Sequence, residues 1–386
     1  MTKKLLASKH ETLPQSLIES EILARLRCET LQRCKLVSKS WLKSITEPGF
    51  AVFHTKHVRD NTILVFSDLV IKVFRIFNVV KDTKLDLAVP SRIPVLRLEN
   101  YVKQGVFGFA GTCNGLICFY IRYDNKFEYH LYNPTLQIVR LLHVLHTQDG
   151  IIGENFSLYE DNKEGHGLGF DLKNNDYKCV TILRHGTYVF STKTGTIKKI
   201  KDNSFTHKLI DNIGVQAKNC LHWIYGTAYG IARGMLTLDP ETDLFYETPL
   251  PCCKGRPRIM TIRGDLHVVY STYVKPPLHN KYSKLHNFSY EIGLWLMKGG
   301  YGFSKSCWIE LYNVRIDNMP FSTIPISFLE GGRKVLLELW KDKSSKNKKS
   351  YRWYDLVTKE SEECLDVQGH WNAYPCLETL INPCYV

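Results

Sequence analysis

Apolar positions in residues 12–57 recur with a helical period, and beyond residue 60 they give way to short β-type runs. Ile18, Ile22 and Leu26 stand four apart, with Leu17 and Leu23 widening the stripe and Ser16, Glu19, Ser20, Glu21 and Arg25 falling between them. That spacing predicts an amphipathic helix with Pro14 in its first turn, where a missing N–H costs nothing. A second helix starting near Glu29-Thr30 would carry Leu31, Cys34 and Val37 on one face. Ser38 is placed to cap a third, bearing Trp41, Leu42 and Ile45, and Pro48-Gly49 would end it. Phe50, Val52, Phe53 and His57 read as a last short helix or turn. A unit of three or four such helices is too small to bury a core on both faces. Its apolar surface is therefore expected to be offered to another protein.

The later texture is a repeat. One part is a turn residue followed by a hydrophobic strand, as at Asn114-Gly-Leu-Ile-Cys-Phe-Tyr, Asn219-Cys-Leu-His-Trp-Ile, Gly264-Asp-Leu-His-Val-Val-Tyr and Gly332-Arg-Lys-Val-Leu-Leu-Glu-Leu. The other is a strand, a turn and a strand, with turn positions at Asn133, Ser191, Asp239, Met297 and Asp355, about 45–60 residues apart. Asn and Asp suit these turns because their side chains bond the backbone two residues on. Four strands per unit, repeated around an axis, give a propeller-like body of about six blades. A pair of β-sandwiches is the alternative, and the recurrence of the phrase favours the ring. The expected organisation is a flexible segment at 1–11, a small all-α unit at 12–57 and a large all-β domain at 58–386.

Composition narrows the setting. A chain of 386 residues, 44% apolar, is long enough for one large or two medium cores. It has no uninterrupted apolar run near 18 residues, so no membrane span is expected. The only apolar stretch in MTKKLLASKHETLP is Leu-Leu-Ala, too short for a secretory leader. These features point to the cytoplasm or nucleus. Twelve cysteines are scattered without a CxxC pair, which fits buried small hydrophobes in a reducing compartment better than disulfides or zinc. His143-Val-Leu-His146 is too tightly spaced for a zinc pair. The net charge of +13 permits an acidic partner, and its densest run, KDKSSKNKKS at 341–350, reads as a solvated hairpin loop. No nucleic-acid signature accompanies it.

Enzyme motifs are missing: there is no GxSxG, P-loop or HExxH. Gly165-His-Gly-Leu-Gly169 is glycine-rich, but the residues after it read as strand and turn rather than the helix a pyrophosphate site needs. His222-Trp223 lies in an apolar strand and reads as packing, as do Trp295, Trp308 and Trp340, whereas polar neighbours place Trp353 and Trp371 nearer a loop surface. No catalytic group, metal or cofactor is expected.

The pattern LPxxLIxxxILxRL, the Leu–Cys–Val face and VSKSWLKSITEPGFAVFH together resemble the F-box of plant F-box proteins. Two positions depart from that family: Arg27 stands where Pro is usual, and Ser16 where an acidic residue is frequent. Gly111-Thr-Cys-Asn-Gly-Leu-Ile-Cys with Leu131-Tyr-Asn-Pro-Thr is similar to the opening of the family's F-box-associated domain. Gly167-Leu-Gly-Phe-Asp171, Asp176-Tyr-Lys-Cys-Val180, Leu221-His-Trp223, Leu294-Trp-Leu-Met-Lys298 and Ser306-Cys-Trp308 continue it in order. The resemblance implies a non-catalytic substrate receptor of a Skp–cullin–F-box ubiquitin ligase. Leu13, Pro14, Leu17, Ile18, Ile22, Leu23, Leu26, Leu31, Cys34, Val37 and Trp41 would be divided between the adaptor contact and the internal core. The Skp-type adaptor would bring in cullin and RING protein, and the β domain would hold an unidentified protein target, with no nucleic acid and no membrane involved. Candidate target loops are Thr147–Gly165, Val274–Phe288 and Asp342–Ser350. A scaffold without a ligase link is the other reading.

Overall fold

A computed structural model describes residues 13–55, 57, 61–67, 70–75, 96–97, 105–124, 126–146, 164–183, 186–200, 208–227, 231–251, 255–274, 288–301, 306–319, 322–329, 333–340, 348–368, 372–377 and 379–386. Short helices lie between Gln15 and Thr55, and the described strands begin at Asn61. Among the described residues no helix is long and apolar enough to cross a membrane.

The strands form six antiparallel sheets among the described residues. The first contains Asn61–Ser67, Val70–Arg75 and Leu96–Arg97. The second runs Val106–Cys113, Leu116–Arg122, Lys126–Asn133, Ile138–His146, and the third Gly165–Asp171, Asp176–Leu183, Gly186–Ser191, Ile197–Ile200. The fourth has Lys208–Leu209 and Val215–Ala217 beside Cys220–Gly226, then Ala232–Asp239 and Leu244–Thr248. The fifth is Arg256–Ile262, Asp265–Val274, Phe288–Gly299, Ser306–Met319, and the sixth Ser322–Leu329, Lys334–Trp340, Lys348–Asp355, Ser361–Gln368. The strand Asn372–Leu377 returns to pair antiparallel with Asn61–Ser67, from Asn61 opposite Leu377 to Phe66 opposite Asn372. The leading strands of successive sheets touch in order, and Asn372–Leu377 touches the leading strands of the sixth and second sheets. The sheets therefore close into a ring whose first blade joins both ends of the β region.

Turn chemistry explains why the units repeat. Asn114-Gly115, Lys218-Asn219 and Arg263-Gly264 all have positive φ at both residues, the two-residue turn that matches strand twist. Asn133 Oδ1 accepts from the N–H groups of Thr135 (2.7 Å) and Leu136 (3.0 Å), and Asp355 Oδ1 from those of Val357 (2.8 Å) and Thr358 (3.1 Å). Asp239 Oδ1 accepts from Glu241 N–H at 2.9 Å, and Ser191 Oγ from Thr194 N–H at 3.1 Å. Four residues after each of these positions comes a positive φ, at Gln137, Gly195, Asp243 and Lys359. One loop design is thus reused between third and fourth strands. Met297, expected as a fifth such turn, lies instead inside Phe288–Gly299, fully buried and opposite Trp308. The last two strands of that sheet are 12 and 14 residues long, which moves their turn beyond Gly299.

The glycine-rich run Gly165–Gly169 is part of a strand, and it is built for packing. A Cβ on Gly167 would come 2.8 Å from Trp223 Cζ2, and one on Gly214 would come 2.7 Å from the same indole. Trp223 fills the slot between them, and its Nε1 donates to the His166 carbonyl at 3.0 Å. Trp223→Ala should cost about 3–5 kcal/mol, read as a lower urea midpoint at unchanged slope. A midpoint unmoved by the substitution would remove the slot from the account of stability.

His222 is buried beside it, bonded to Thr237 Oγ1 (3.0 Å) and the Ala217 carbonyl (3.1 Å). Trp353 is buried, not at a loop surface, because its strand is central in the sixth sheet; Trp371 lies outside the described residues. Cys28, Cys113, Cys118, Cys179, Cys220 and Cys376 are buried free thiols, while Cys307 and Cys384 are exposed and depart from that expectation.

Candidate docking surface

The opening helical segment is irregular, and the irregularity decides which side chains face inward. One α turn (Gln15–Leu17) runs into a π turn (Ile18–Ile22) and then a 3-10 turn (Leu23–Arg25). A π turn brings residues five apart onto one side. Ile18 and Leu23 therefore share the inner face, and the expected four-residue stripe through Ile22 is broken. Leu23 is fully buried, Ile18 and Leu26 are half-buried, and Ile22 is exposed.

The next helix, Cys28–Cys34, ends before Val37, which sits in the following turn with Leu36. Arg27 has φ −65 and ψ 150. That is the φ a proline ring imposes, so the backbone path expected of a Pro here is kept by Arg. Ser38 caps helix Lys39–Thr46 by accepting from Trp41 N–H at 3.1 Å. Pro48, expected to stop that helix, begins the next one, Pro48–Thr55, as suits a residue without an N–H.

Leu23, Cys28, Leu31, Ile45, Phe50 and Ala51 form the inner set, with Cys34 and Trp41 packed partly against it, and Ala24 is buried too. Fully buried His54 closes it, its Nε2 2.7 Å from the Leu26 carbonyl, and burial pulls its pKa below the usual histidine range. The same cluster continues into the second and third sheets and into Leu380 and Ile381. The outer set is Leu13, Pro14, Leu17, Ile22 and Val37, together with Leu36, Leu42 and Phe53. Leu36 is 88% exposed and Val37 64%, an unusual cost for adjacent apolar residues at a turn. Exposed pairs Glu21–Arg25 and Glu29–Arg33 lie on the same helices. A hydrogen bond from Gln15 Nε2 to Ser44 Oγ (3.3 Å) ties the first helix to Lys39–Thr46.

Of the eleven candidates, Leu23 and Leu31 thus fall in the interior, Ile18, Leu26, Cys34 and Trp41 at its margin, and Leu13, Pro14, Leu17, Ile22 and Val37 outside. Leu36, Leu42 and Phe53 were not among the candidates. Leu36 follows no helical face because it sits in a turn, so periodicity gave no signal for it. The loops 147–163, 275–287 and 341–347, which make up most of the candidate target segments, lie outside the described residues.

Comparison with known proteins finds relatives by sequence and a distant likeness by structure. The chain is 27% identical over 287 residues to an F-box/kelch-repeat protein of Arabidopsis thaliana, At3g23880, covering 69% of this chain and 72% of that protein. It is 26% identical over 413 aligned positions to F-box protein CPR1 of the same plant, covering 97% of this chain and 89% of that one. A solved TolB from Acinetobacter baumannii covers 89% of this chain and 71% of its own at 9% identity, with a TM-score of 0.42. No family model matches the chain. The chain is thus similar, at 26–27% identity over most of its length, to F-box and F-box/kelch-repeat proteins of Arabidopsis thaliana.

Proposed function

We propose that the protein is a substrate-receptor subunit of a Skp–cullin–F-box ubiquitin ligase, acting in the cytoplasm or nucleus. The observation that carries this is the outer apolar set of the helical unit, Leu13, Leu17, Ile22, Leu36, Val37 and Leu42, exposed on a segment with F-box spacing. The β ring holds the target protein. The helices dock on a Skp-type adaptor, which brings in cullin and RING protein. The chain itself performs no chemistry. It raises the local concentration of the target near a charged ubiquitin-conjugating enzyme, and effective molarity is its contribution to the rate.

Leu17→Asp with Ile22→Asp tests the docking role. Both side chains are exposed, so the double variant should fold as the parent does while losing adaptor co-purification. Leu23→Asp is the contrast: its side chain is fully buried, and the substitution should unfold the helical unit. Adaptor binding that survives the outer double substitution, with the adaptor in the micromolar range, would overturn the assignment.

A further inference from the structure

The fifth sheet ends in Ser306–Met319, at 14 residues the longest strand among those described, and it pairs only with Phe288–Gly299 among the described residues. An outer strand is a row of unpaired N–H and C=O groups, and proteins normally blunt it. The other outer strands of this ring are blunted. Leu96–Arg97 is two residues long, Ile197–Ile200 is four with Lys198 and Lys199 inside it, and Leu244–Thr248 is five. Ile138–His146 is covered by the chain end, where Arg140 donates to the carbonyls of Pro383 (2.9 Å) and Val386 (2.6 Å). Ser361–Gln368 is eight residues long, little over half the length of Ser306–Met319. Ser306–Met319 instead exposes Cys307, Ile309 and Leu311 along its first half.

Its register makes it self-complementary. Trp295 lies opposite Glu310 and Leu294 opposite Tyr312, so Leu311 is an extra residue in the ladder. Residues directly opposed across a ladder share a face. Glu310, opposite Trp295, Asn313, opposite Gly293, and Arg315, opposite Glu291, therefore lie on one face. Without the bulge Glu310 and Arg315, five apart, would point to opposite faces. With it, they stand two rungs on either side of Asn313. Arg315 pairs with Asp317 of its own strand, Nε donating to Oδ1 at 2.9 Å, and also donates to Ser289 Oγ on the adjacent strand (3.4 Å); Glu310 is exposed.

We propose that two copies of this chain pair antiparallel along Ser306–Met319, centred on Asn313, so that Glu310 of each meets Arg315 of the other. A two-fold axis through an antiparallel edge repeats every contact twice. On the opposite face Tyr312 meets Val314 of the second copy, and Ile309 comes opposite Ile316. The two fifth sheets become one continuous sheet, and the exposed Ile309 and Leu311 are covered. An extended strand of another protein would satisfy the same edge, but nothing in it would require charges mirrored about Asn313.

Sedimentation velocity of the full chain at rising concentration tests the pairing, with three variants beside it. The parent should form a reversible dimer. Glu310→Arg alone and Arg315→Glu alone each turn two attractions into two repulsions and should weaken the dimer by about tenfold or more. The double exchange, Glu310→Arg with Arg315→Glu, restores opposite charges and should return the dimer to within about threefold of the parent. A chain that stays monomeric at about 100 μM overturns the proposal. So does association that ignores both single reversals, which would place the contact on the apolar helical surface, and so does a double exchange that fails to rescue.

Discussion

Deleting residues 372–386 is expected to abolish the cooperative unfolding of the ring rather than trim its edge. Asn372–Leu377 is the inner strand of the first sheet, and it touches the leading strands on both sides of the closure. Ala373 and Cys376 are buried, and Tyr374 stacks on Phe109 with centroids 4.4 Å apart. Beyond it, buried Leu380 and Ile381 pack under the second sheet. The Asn133 amide donates to the carbonyls of Thr379 (3.0 Å) and Ile381 (2.7 Å), while its Oδ1 holds its own turn. Two large buried aliphatic side chains, the smaller burials and the side-chain hydrogen bonds together amount to on the order of 10 kcal/mol. That is comparable to the whole stability of a domain. The loss should appear as a missing thermal transition by near-ultraviolet circular dichroism and as rapid proteolysis. Asn133→Asp gives the graded version, keeping the turn acceptor and losing two donations, at about 2–3 kcal/mol. A truncated chain that melts within about 5 °C of the parent would show that the ring does not depend on this closure.

The closing strand was also the least legible element of the sequence. Asn-Ala-Tyr-Pro-Cys-Leu carries Pro375, and proline argues against a strand that pairs on both sides. It is tolerated here because, among the described residues, Asn372–Leu377 pairs within its sheet with Asn61–Ser67 alone. The partner lies more than 300 residues away, a pairing no local pattern announces. The turns were legible for the opposite reason. Asn133, Asp239 and Asp355 bond within three residues of themselves, so local chemistry fixes their type. Met297 broke the series because a longer hairpin moves its turn without changing the hydrophobic count that spacing measures. In the helical unit the residue types were readable, but their division was not. A single π turn between Ile18 and Ile22 moves Leu23 inward and Ile22 outward, and Leu36 and Val37 take their exposure from a turn rather than from a face. Nothing in a four-residue period signals either.

Acidification from pH 7.5 to 5 is expected to destabilise the ring by about 6 kcal/mol, through histidines the fold keeps neutral. His143 is enclosed between Tyr129 (centroids 4.7 Å) and Phe190 (4.4 Å), with neither ring nitrogen bonded among the described residues. Burial lowers its pKa to about 4. His166 is fully buried against Tyr120, its Nδ1 2.8 Å from Tyr129 Oη, and burial with the nearby Arg122 charge lowers its pKa to about 3. Burial lowers His222 to about 4, with Lys218 adding to it against the opposing hydrogen bond that the ring donates to the Ala217 carbonyl. In the unfolded chain each titrates near 6.5. Below about pH 6.5 the unfolded state therefore binds protons that the folded state refuses, and stability falls with pH until the folded groups themselves titrate near pH 4 and below. Above pH 6.5 both states are neutral and the contribution is complete. At pH 5 each histidine contributes a loss of about 2 kcal/mol, and His54, His130 and His267, all lowered by burial, act in the same direction. Glu164, whose pKa burial raises, opposes them as a single group. Asp171 and Asp355, held below the usual carboxylate range, add their losses only at lower pH. For a chain of this length the loss corresponds to a fall in Tm of about 7 °C. His143→Phe keeps the stacked ring without a titrating group, and should remove about 2 kcal/mol of the loss between pH 6.5 and 5. A Tm that stays level over that interval, or a slope that His143→Phe leaves unchanged, would mean these histidines are not what makes the ring acid-sensitive.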